Sequence, residues 1–277
     1  VLYKPDLDIL KLSIESVQNS VNKIFISDNS DQKKIDIDLE PNIEYHFNNG
    51  NLGIATAQNQ GIDYAIKNRY DQIIFIDQDS SFPDGFFNRL IEEYKLLQEN
   101  NRNFIAIGPT AINKGSGVVL NKKSFIKDFQ FKNKEYILAR ELMNSASLWN
   151  TSVFEKIGGM EAGLFIDDVD YEISWRARKR LKVNLYISKD IVMYHNLGEG
   201  DYRIFNKTFH RTTPFRFYYQ IRNYLILVRR GYVPFFWKVT EGMKCLVRLI
   251  LLHSLSNRKV KTLHLLKKAI KDSIIYR

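Results

Sequence analysis

The fold prediction rests on Gln72-Ile73-Ile74-Phe75-Ile76-Asp77-Gln78-Asp79, in which the most apolar strand pattern of the chain is followed at once by two carboxylates. Ligands of parallel α/β sheets bind outside the carboxyl ends of the strands. Two carboxylates one residue apart at such a turn can face one hard cation, and Mg²⁺ and Mn²⁺ prefer oxygen ligands of this kind. An isolated Asp-x-Asp more often caps a turn, so it is the position after a buried strand that favours a ligand site.

Similar apolar runs occupy residues 23–27, 43–47 and 104–109, and helical spacing of apolar residues marks 54–68 and 86–97. Continuous rather than alternating apolar strands, separated by helices, predict a sheet covered on both faces. We therefore expect an α/β fold with a mixed, mostly parallel central sheet flanked by helices.

Charge divides the chain. Its 277 residues are 44% hydrophobic and carry a net charge of +10, yet residues 203–277 alone hold 17 Lys/Arg and two Asp/Glu. We predict a catalytic domain over residues 1–202 and a basic, aromatic-rich helical region over 203–277. The single cysteine, Cys245, excludes an internal disulfide and a four-cysteine zinc site. Val1-Leu2-Tyr3 resembles the end of a strand, so we expect the natural chain to start a few residues earlier.

A second acidic cluster, Asp167-Asp168-Val169-Asp170, opens the helix predicted over 169–180. One or two of these acids are expected to stabilise the positive end of the helix dipole. Crowded carboxylates also raise one another's pKa, which suits a general base. Arg176, one to two turns further on, is expected to pair with Asp170 or with a substrate phosphate.

Two further segments carry weaker signals. His195 ends a short strand and precedes a glycine turn, which is compatible with a third metal ligand, although a lone histidine is more often structural. Residues 48–53, Asn-Asn-Gly-Asn-Leu-Gly, precede a helix and would let backbone amides approach a ligand there. An ordinary β–α turn explains this segment equally well.

Taken together, these motifs resemble inverting glycosyltransferase family 2, whose fold is GT-A, over about residues 1–198. Asp28-Asn29-Ser30 resembles the family's nucleotide-base turn, and residues 51–61 are similar to its N-x-G-x-A…N-x-G segment. The resemblance implies nucleotide-sugar contacts from Asp28, Asn51, Gly53, Asn59, Asp77, Gln78 and Arg176, and metal ligands Asp77, Asp79 and His195. It implies that Asp167 or Asp168 is the catalytic base, with Asp167 standing where many relatives have Glu.

Within that family, residues 77–80 and 165–170 look most like bacterial rhamnosyltransferases of O-antigen and capsule assembly. This implies dTDP-L-rhamnose as donor, Mg²⁺ or Mn²⁺ as cofactor, and a polyprenyl-diphosphate-linked saccharide as acceptor. Another UDP-, GDP- or dTDP-sugar donor is an alternative. A sugar-phosphate nucleotidyltransferase is a weaker one, because a Gly-rich triphosphate loop is not seen near residues 1–11. A non-catalytic binding module would not explain so many polar motifs in one order.

Residues 215–230 and 232–255 interleave Arg and Lys with aromatic and aliphatic residues, without a run of the roughly 18 apolar residues that a membrane span needs. The first helix is expected either to pack back onto the catalytic domain or to lie at a lipid interface, whereas the later ones are expected to lie on anionic lipid as interfacial helices. The resemblance implies a peripheral enzyme on the cytoplasmic face of the bacterial inner membrane. A nucleic-acid partner is not predicted, because the basic segment is too apolar for a solvated arm.

Overall fold

The computed structural model describes residues 1–33, 41–78, 80, 82–99, 103–195, 201–204, 207–210, 213–255 and 259–276; the side chains of 195–212 and 251–261 are not described. The strands are β1 (Ile24–Asp28), β2 (Ile43–Phe47), β3 (Gln72–Phe75), β4 (Phe104–Asn113), β5 (Phe125–Phe131), β6 (Lys134–Ala139), β7 (Ser147–Asn150), β8 (Asn184–His195), β9 (Asp201–Ile204) and β10 (Lys207–His210). The helices are α1 (Leu7–Val17), α2 (Ile54–Lys67), α3 (Phe86–Glu99), α4 (Ser152–Ile157), α5 (Val169–Leu181), α6 (Pro214–Leu227), α7 (Phe235–Leu255) and α8 (Lys259–Ile275).

The largest sheet has six strands in the order β3-β7-β4-β8-β6-β5. β4 and β8 are parallel, whereas β7 and β6 run antiparallel to both of their neighbours. Consequently β3, β4, β5 and β8 share one direction, and the carboxyl ends of β3 and β8 lie at the same edge. β1 and β2 form a separate parallel pair. The predicted mixed, mostly parallel α/β fold is confirmed.

Successive side chains of a strand point to opposite faces of the sheet, which divides the core into two layers. Trp149 packs with α2, α4 and α5 on one face of the sheet, and its neighbour Leu148 packs with α3 on the other. α3 presents Phe87 and Leu90 to that second layer, both with no exposed surface. Each such side chain stabilises the fold by about 1.5–3 kcal/mol when it is fully buried. Helices on both faces therefore leave the strand ends as the accessible part of the sheet.

The C-terminal helices pack back onto this core. Trp237 of α7 contacts Trp175 of α5 edge to face, with ring centroids 5.0 Å apart. The Tyr232 hydroxyl donates to Glu172 Oε1 at 2.6 Å, and Tyr276 after α8 bonds Glu161. The later helices, which are expected at a lipid interface, thus also pack through these contacts onto the preceding α/β region. Among the helices that the structure describes, none has the length and apolar composition needed to cross a membrane.

Candidate active site

Two carboxylates from distant parts of the chain meet at the end of β3. Asp77 follows that strand by two residues, and Asp170 is the second residue of α5. Asn144 bridges them: its Nδ2 donates to Asp77 Oδ1 at 3.2 Å, and its backbone N–H donates to Asp170 Oδ2 at 3.1 Å. The Tyr171 N–H donates to the other Asp170 oxygen at 3.0 Å. Both carboxylates are therefore held in fixed orientations at the carboxyl edge of the sheet.

This arrangement changes the protonation of Asp170. Burial, and then the nearby Asp77 carboxylate, raise the pKa of Asp170 to about 7, against which its backbone donors act. A carboxyl group with such a pKa exchanges protons readily near neutral pH, which is the property of a general base. Two partly buried carboxylates with hard oxygen donors also fit a divalent cation, because a cation offsets their repulsion.

The loop that leads into α5 has an unusual backbone. Phe165, Asp167 and Asp168 have φ of 66°, 64° and 60°, in the left-handed region that non-glycine residues rarely occupy. Asp167 Oδ1 pairs with Arg216 Nη2 of α6 at 2.5 Å. Burial, and then the carboxylates of Glu241, Asp167 and Asp170, raise the pKa of Asp168 well above its ordinary value. The two predicted bases thus interact with the C-terminal helices.

The turn before α2 packs against the same loop. Gly53 has φ of 84°, and a Cβ there would lie 2.8 Å from the Phe165 carbonyl oxygen and 2.6 Å from its ring. The Ile54 N–H donates to that carbonyl at 2.7 Å. Asn29, after β1, donates from Nδ2 to the Gly53 carbonyl at 3.1 Å. Glycine is required at this position, since both the backbone conformation and the space exclude a side chain.

Asp28 closes the other side of this region at the end of β1. It is 1% exposed, and its carboxylate accepts the Ser30 N–H at 2.9 Å and the Tyr45 hydroxyl at 2.7 Å. Asn51 is exposed, and its Oδ1 accepts the Gly53 N–H at 2.9 Å. The turns after β1 and before α2, the acidic loop and the end of β3 therefore surround one edge of the two sheets.

Comparison with known proteins decides the family. The model of the family described as Glycosyl transferase family 2 matches residues 6–158, more than half of the chain. The chain belongs to glycosyltransferase family 2. The matched segment ends before the acidic loop and the C-terminal helices, so the family match does not cover those parts of this glycosyltransferase.

One relative of this glycosyltransferase is similar over nearly its whole length. The dTDP-rhamnosyl transferase RfbF of Shigella flexneri is 27% identical over 273 residues, which cover 94% of this chain and 89% of the relative. The resemblance to a bacterial rhamnosyltransferase of family 2 is therefore confirmed.

Solved structures share the GT-A fold. TarS residues 1–349 of S. aureus, in complex with UDP-GlcNAc, has a TM-score of 0.51 at 13% identity, with 94% of this chain and 77% of that one covered. GalNAc-T7 with UDP, GalNAc and Mn²⁺ has a TM-score of 0.55 at 13% identity, with 93% of this chain and 52% of that one covered. At this identity the likeness shows the fold alone.

Two predicted nucleotide-binding amides of the glycosyltransferase are occupied within the fold. Asn59 pairs with both backbone groups of Met160, at 2.7 and 2.9 Å. Gln78 pairs in the same way with both backbone groups of Tyr3, at 2.7 and 3.2 Å. These amides join α2 to the loop after α4, and the end of β3 to the N-terminal segment. Both residues therefore help to hold the site together, and their contact with the nucleotide-sugar stays a prediction.

The prediction that Arg176 contacts a phosphate, or pairs with Asp170, does not fit the structure. Arg176 is 7% exposed and forms a two-pronged ion pair with Glu172, at 2.8 and 2.9 Å. Its remaining N–H groups donate to carbonyls of the loop after α4, at 2.6 Å to Ile157 and to Gly159. The guanidinium therefore has protein acceptors for its donors, and it ties α5 to α4.

The predicted metal ligands are only partly described. Asp77 stands at the strand end, whereas Asp79 and the side chain of His195 lie outside the described residues. The backbone of His195 ends β8, at the same edge of the sheet as the end of β3. Within the described side chains, no three His, Cys, Asp or Glu residues cluster closely enough to hold a metal. Metal binding by Asp77, Asp79 and His195 stays a prediction.

Sequence reasoning missed three residues that contact this site: Asn144, Arg216, and Asn223, whose Nδ2 donates to the carbonyls of Ile166 and Asp167 in the acidic loop. Asn144 lies in the loop before β7, and Arg216 and Asn223 lie on α6, in the basic segment. Their residue types are common in loops and on helix surfaces, so nothing in their local sequence marks them. The one available signal concerned their partner: Asp170 lies in the first turn of α5, where unpaired backbone N–H groups favour a carboxylate.

Proposed function

We propose that this glycosyltransferase moves L-rhamnose from dTDP-L-rhamnose to a saccharide acceptor with inversion, and that Asp170 is its base. The observation that carries the proposal is the bridge from Asn144 to Asp77 and Asp170 at the carboxyl edge of the sheet. The similarity to a dTDP-rhamnosyl transferase supports the choice of donor.

Asp170 is preferred to Asp167 and Asp168 for geometric reasons. Asp167 forms an ion pair with Arg216, and Asp168 lies near the Glu241 carboxylate of α7. Asp170 instead shares the donor Asn144 with Asp77 at the end of β3. The acceptor hydroxyl gives its proton to Asp170 as its oxygen bonds the anomeric carbon. The bond between that carbon and the diphosphate oxygen breaks on the opposite face, and the electron pair leaves with the nucleoside diphosphate.

For the donor, we propose that the turns at Asp28, Asn51 and Gly53 hold the nucleotide. The exposed Asn51 and the N-terminal end of α2 offer polar groups at this edge. We further propose Mg²⁺ or Mn²⁺, held by Asp77 with Asp79 and His195; GalNAc-T7, a fold neighbour, was crystallised with Mn²⁺. When bound, the cation neutralises charge on the leaving diphosphate. Asn144 fixes the orientation of the Asp77 carboxylate by donating from Nδ2 to Oδ1.

For the acceptor, we propose a polyprenyl-diphosphate-linked saccharide, reached by peripheral binding to the cytoplasmic face of the inner membrane. The outer face of α7 supports this, because it carries exposed apolar side chains at helical spacing. They are Phe236, Val239, Met243, Leu246 and Ile250. An apolar helix face within a strongly basic region suits the surface of anionic lipid.

The test is donor hydrolysis by purified protein over a panel of nucleotide-sugars, with Mg²⁺, with Mn²⁺ and with EDTA. We expect turnover of dTDP-L-rhamnose that EDTA abolishes. D170N should lower that turnover at least about 100-fold, while dTDP affinity, measured by calorimetry, stays within about threefold.

D167N and D168N are the matched controls, because each removes one neighbouring carboxylate with little change in shape. We expect D167N to retain at least about a tenth of the wild-type rate, since it loses only a partly exposed ion pair. A fully active D170N beside an inactive D168N would move the base to Asp168. Turnover of a UDP- or GDP-sugar alone would reject the rhamnose donor and retain the transferase.

A further inference from the structure

The acidic loop is held by the C-terminal helix α6, outside the segment that the family model matches. We propose that Asn223 is a positioning residue for this loop, so that α6 is a working part of the active site. Asn223 has no exposed surface. Its Nδ2 lies 3.0 Å from the carbonyl oxygen of Leu164, 2.7 Å from that of Ile166 and 3.2 Å from that of Asp167.

A single amide thus gathers three carbonyls of one loop. The loop needs such support, because each non-glycine residue in a left-handed conformation costs on the order of 1 kcal/mol and persists only where its surroundings determine it. Phe165, Asp167 and Asp168 all adopt that conformation. Without Asn223, the carbonyls of Ile166 and Asp167 would each lose this donor, and the ordinary backbone conformations would compete.

Arg222 determines which way the Asn223 amide points. Its guanidinium donates to Asn223 Oδ1, at 3.0 Å from Nη2, and also to the Gly163 and Leu164 carbonyls. Because Oδ1 accepts from Arg222, the Nδ2 group is directed to the loop. Arg222 and Asn223, which are successive residues of α6, therefore act as one unit.

Two more contacts from α6 complete the hold on the loop. The Tyr219 ring stacks on Phe165, with centroids 4.7 Å apart and planes at 11°, and Arg216 pairs with Asp167. The loop continues directly into α5, where Asp170 is the second residue. Phe165 also accepts the N–H of Ile54 at the start of α2. By holding this loop, α6 fixes the position of Asp170 relative to the turn before α2.

The first experiment measures amide hydrogen exchange in the unliganded full chain. N223L keeps the volume of the side chain and removes its donors, and N223A removes both. We expect exchange in residues 163–168 to rise at least about tenfold in both variants. I221V is the control, because Ile221 is a buried residue of the same helix that packs with Phe217 and Cys245. I221V should leave exchange in the loop unchanged.

The second readout is turnover, and it rests on the proposed function. We expect N223L to lower kcat for dTDP-L-rhamnose hydrolysis at least about tenfold, with KM within threefold, whereas I221V changes neither. If the Asn223 variants do not fold, R222M tests the same unit, and its exchange should rise in the same residues.

The two failures are distinguishable. A wild-type chain that is inactive with every donor would reject the proposed function, yet the exchange result would still decide the role of Asn223. Unchanged exchange in residues 163–168 of N223L, or of R222M where the former does not fold, overturns the positioning role. Loop exchange that rises equally in I221V overturns it as well, since general loosening of α6 would then be the cause.

Discussion

At the scale of single residues, the ion pair between Arg176 and Glu172 illustrates how burial assigns a role. Arg176 is 7% exposed and Glu172 has no exposed surface. Removing one partner of such a pair leaves an uncompensated charge, which costs about 3–5 kcal/mol. We expect R176M to lower the free energy of unfolding by that amount in urea titrations. K179M, at an exposed position on the same helix, should change it by less than about 0.5 kcal/mol. A stable R176M that had lost dTDP affinity would return Arg176 to phosphate binding.

Asp170 predicts an unusual dependence of stability on pH. Its pKa in the folded chain is raised from 3.8 to about 7, so the folded state binds its proton more tightly than the unfolded state does. Protonated Asp170 contributes stability that is fully present below its ordinary pKa of 3.8 and is lost as the pH rises through about 7. Removing the carboxylate should therefore stabilise the metal-free protein at pH 8, by no more than about 4 kcal/mol.

The measurement is urea unfolding of wild type and D170N in EDTA between pH 4 and pH 8. The difference between the two proteins should shrink as the pH falls from 8 to 4, because Asp170 becomes fully protonated in the folded state and approaches half-protonation in the unfolded state. A difference in stability between D170N and wild type that stayed constant from pH 4 to pH 8 would show that the pKa of Asp170 is not raised in the folded chain.

At the scale of elements, α7 has two unlike faces. Trp237 and Glu241 are buried against the catalytic region, whereas Met243 and Leu246 are 57% and 61% exposed. If the outer face lies on lipid, replacing its apolar side chains by carboxylates removes buried apolar area and adds repulsion from anionic headgroups. We expect M243E/L246E to reduce the fraction bound to phosphatidylglycerol vesicles at least about fivefold in sedimentation assays.

L12E is the control for that experiment, because Leu12 of α1 is 64% exposed and lies in the catalytic region. It should leave vesicle binding unchanged. Equal loss in L12E and M243E/L246E would indicate a charge effect without a defined face, and binding that neither variant changes would reject α7 as the membrane contact.

At the scale of the whole molecule, the catalytic region and the C-terminal helices share one core. Trp175 is 2% exposed and contacts Trp237 within one hydrophobic cluster, and Glu172 accepts the Tyr232 hydroxyl. We expect the full chain to unfold in one calorimetric transition, whose van't Hoff and calorimetric enthalpies agree. A chain ending at residue 212 should bind a hydrophobic dye and lose that transition, because it exposes this apolar surface. A truncated chain with nearly wild-type Tm would instead support two independent domains.

Local patterning alone determined the alternation of strands and helices, the place of Asp77 after a buried strand, and the glycine turn before α2. These features depend on neighbours in sequence, so apolar periodicity and turn residues are sufficient to find them. The family resemblance followed from the same motifs, since their order along the chain can be read from the sequence alone.

Only the tertiary structure decided which polar side chains meet. Asn144 and Asp77 are 67 residues apart, and Asn223 and Leu164 are 59 apart. It brought Asp170 to Asp77, directed Asp167 to α6, and used Arg176 within the fold. Sequence could not distinguish these outcomes, because a carboxylate or an amide has the same residue type whether its partner is a substrate or a distant backbone. Burial and hydrogen bonding across the chain make that distinction.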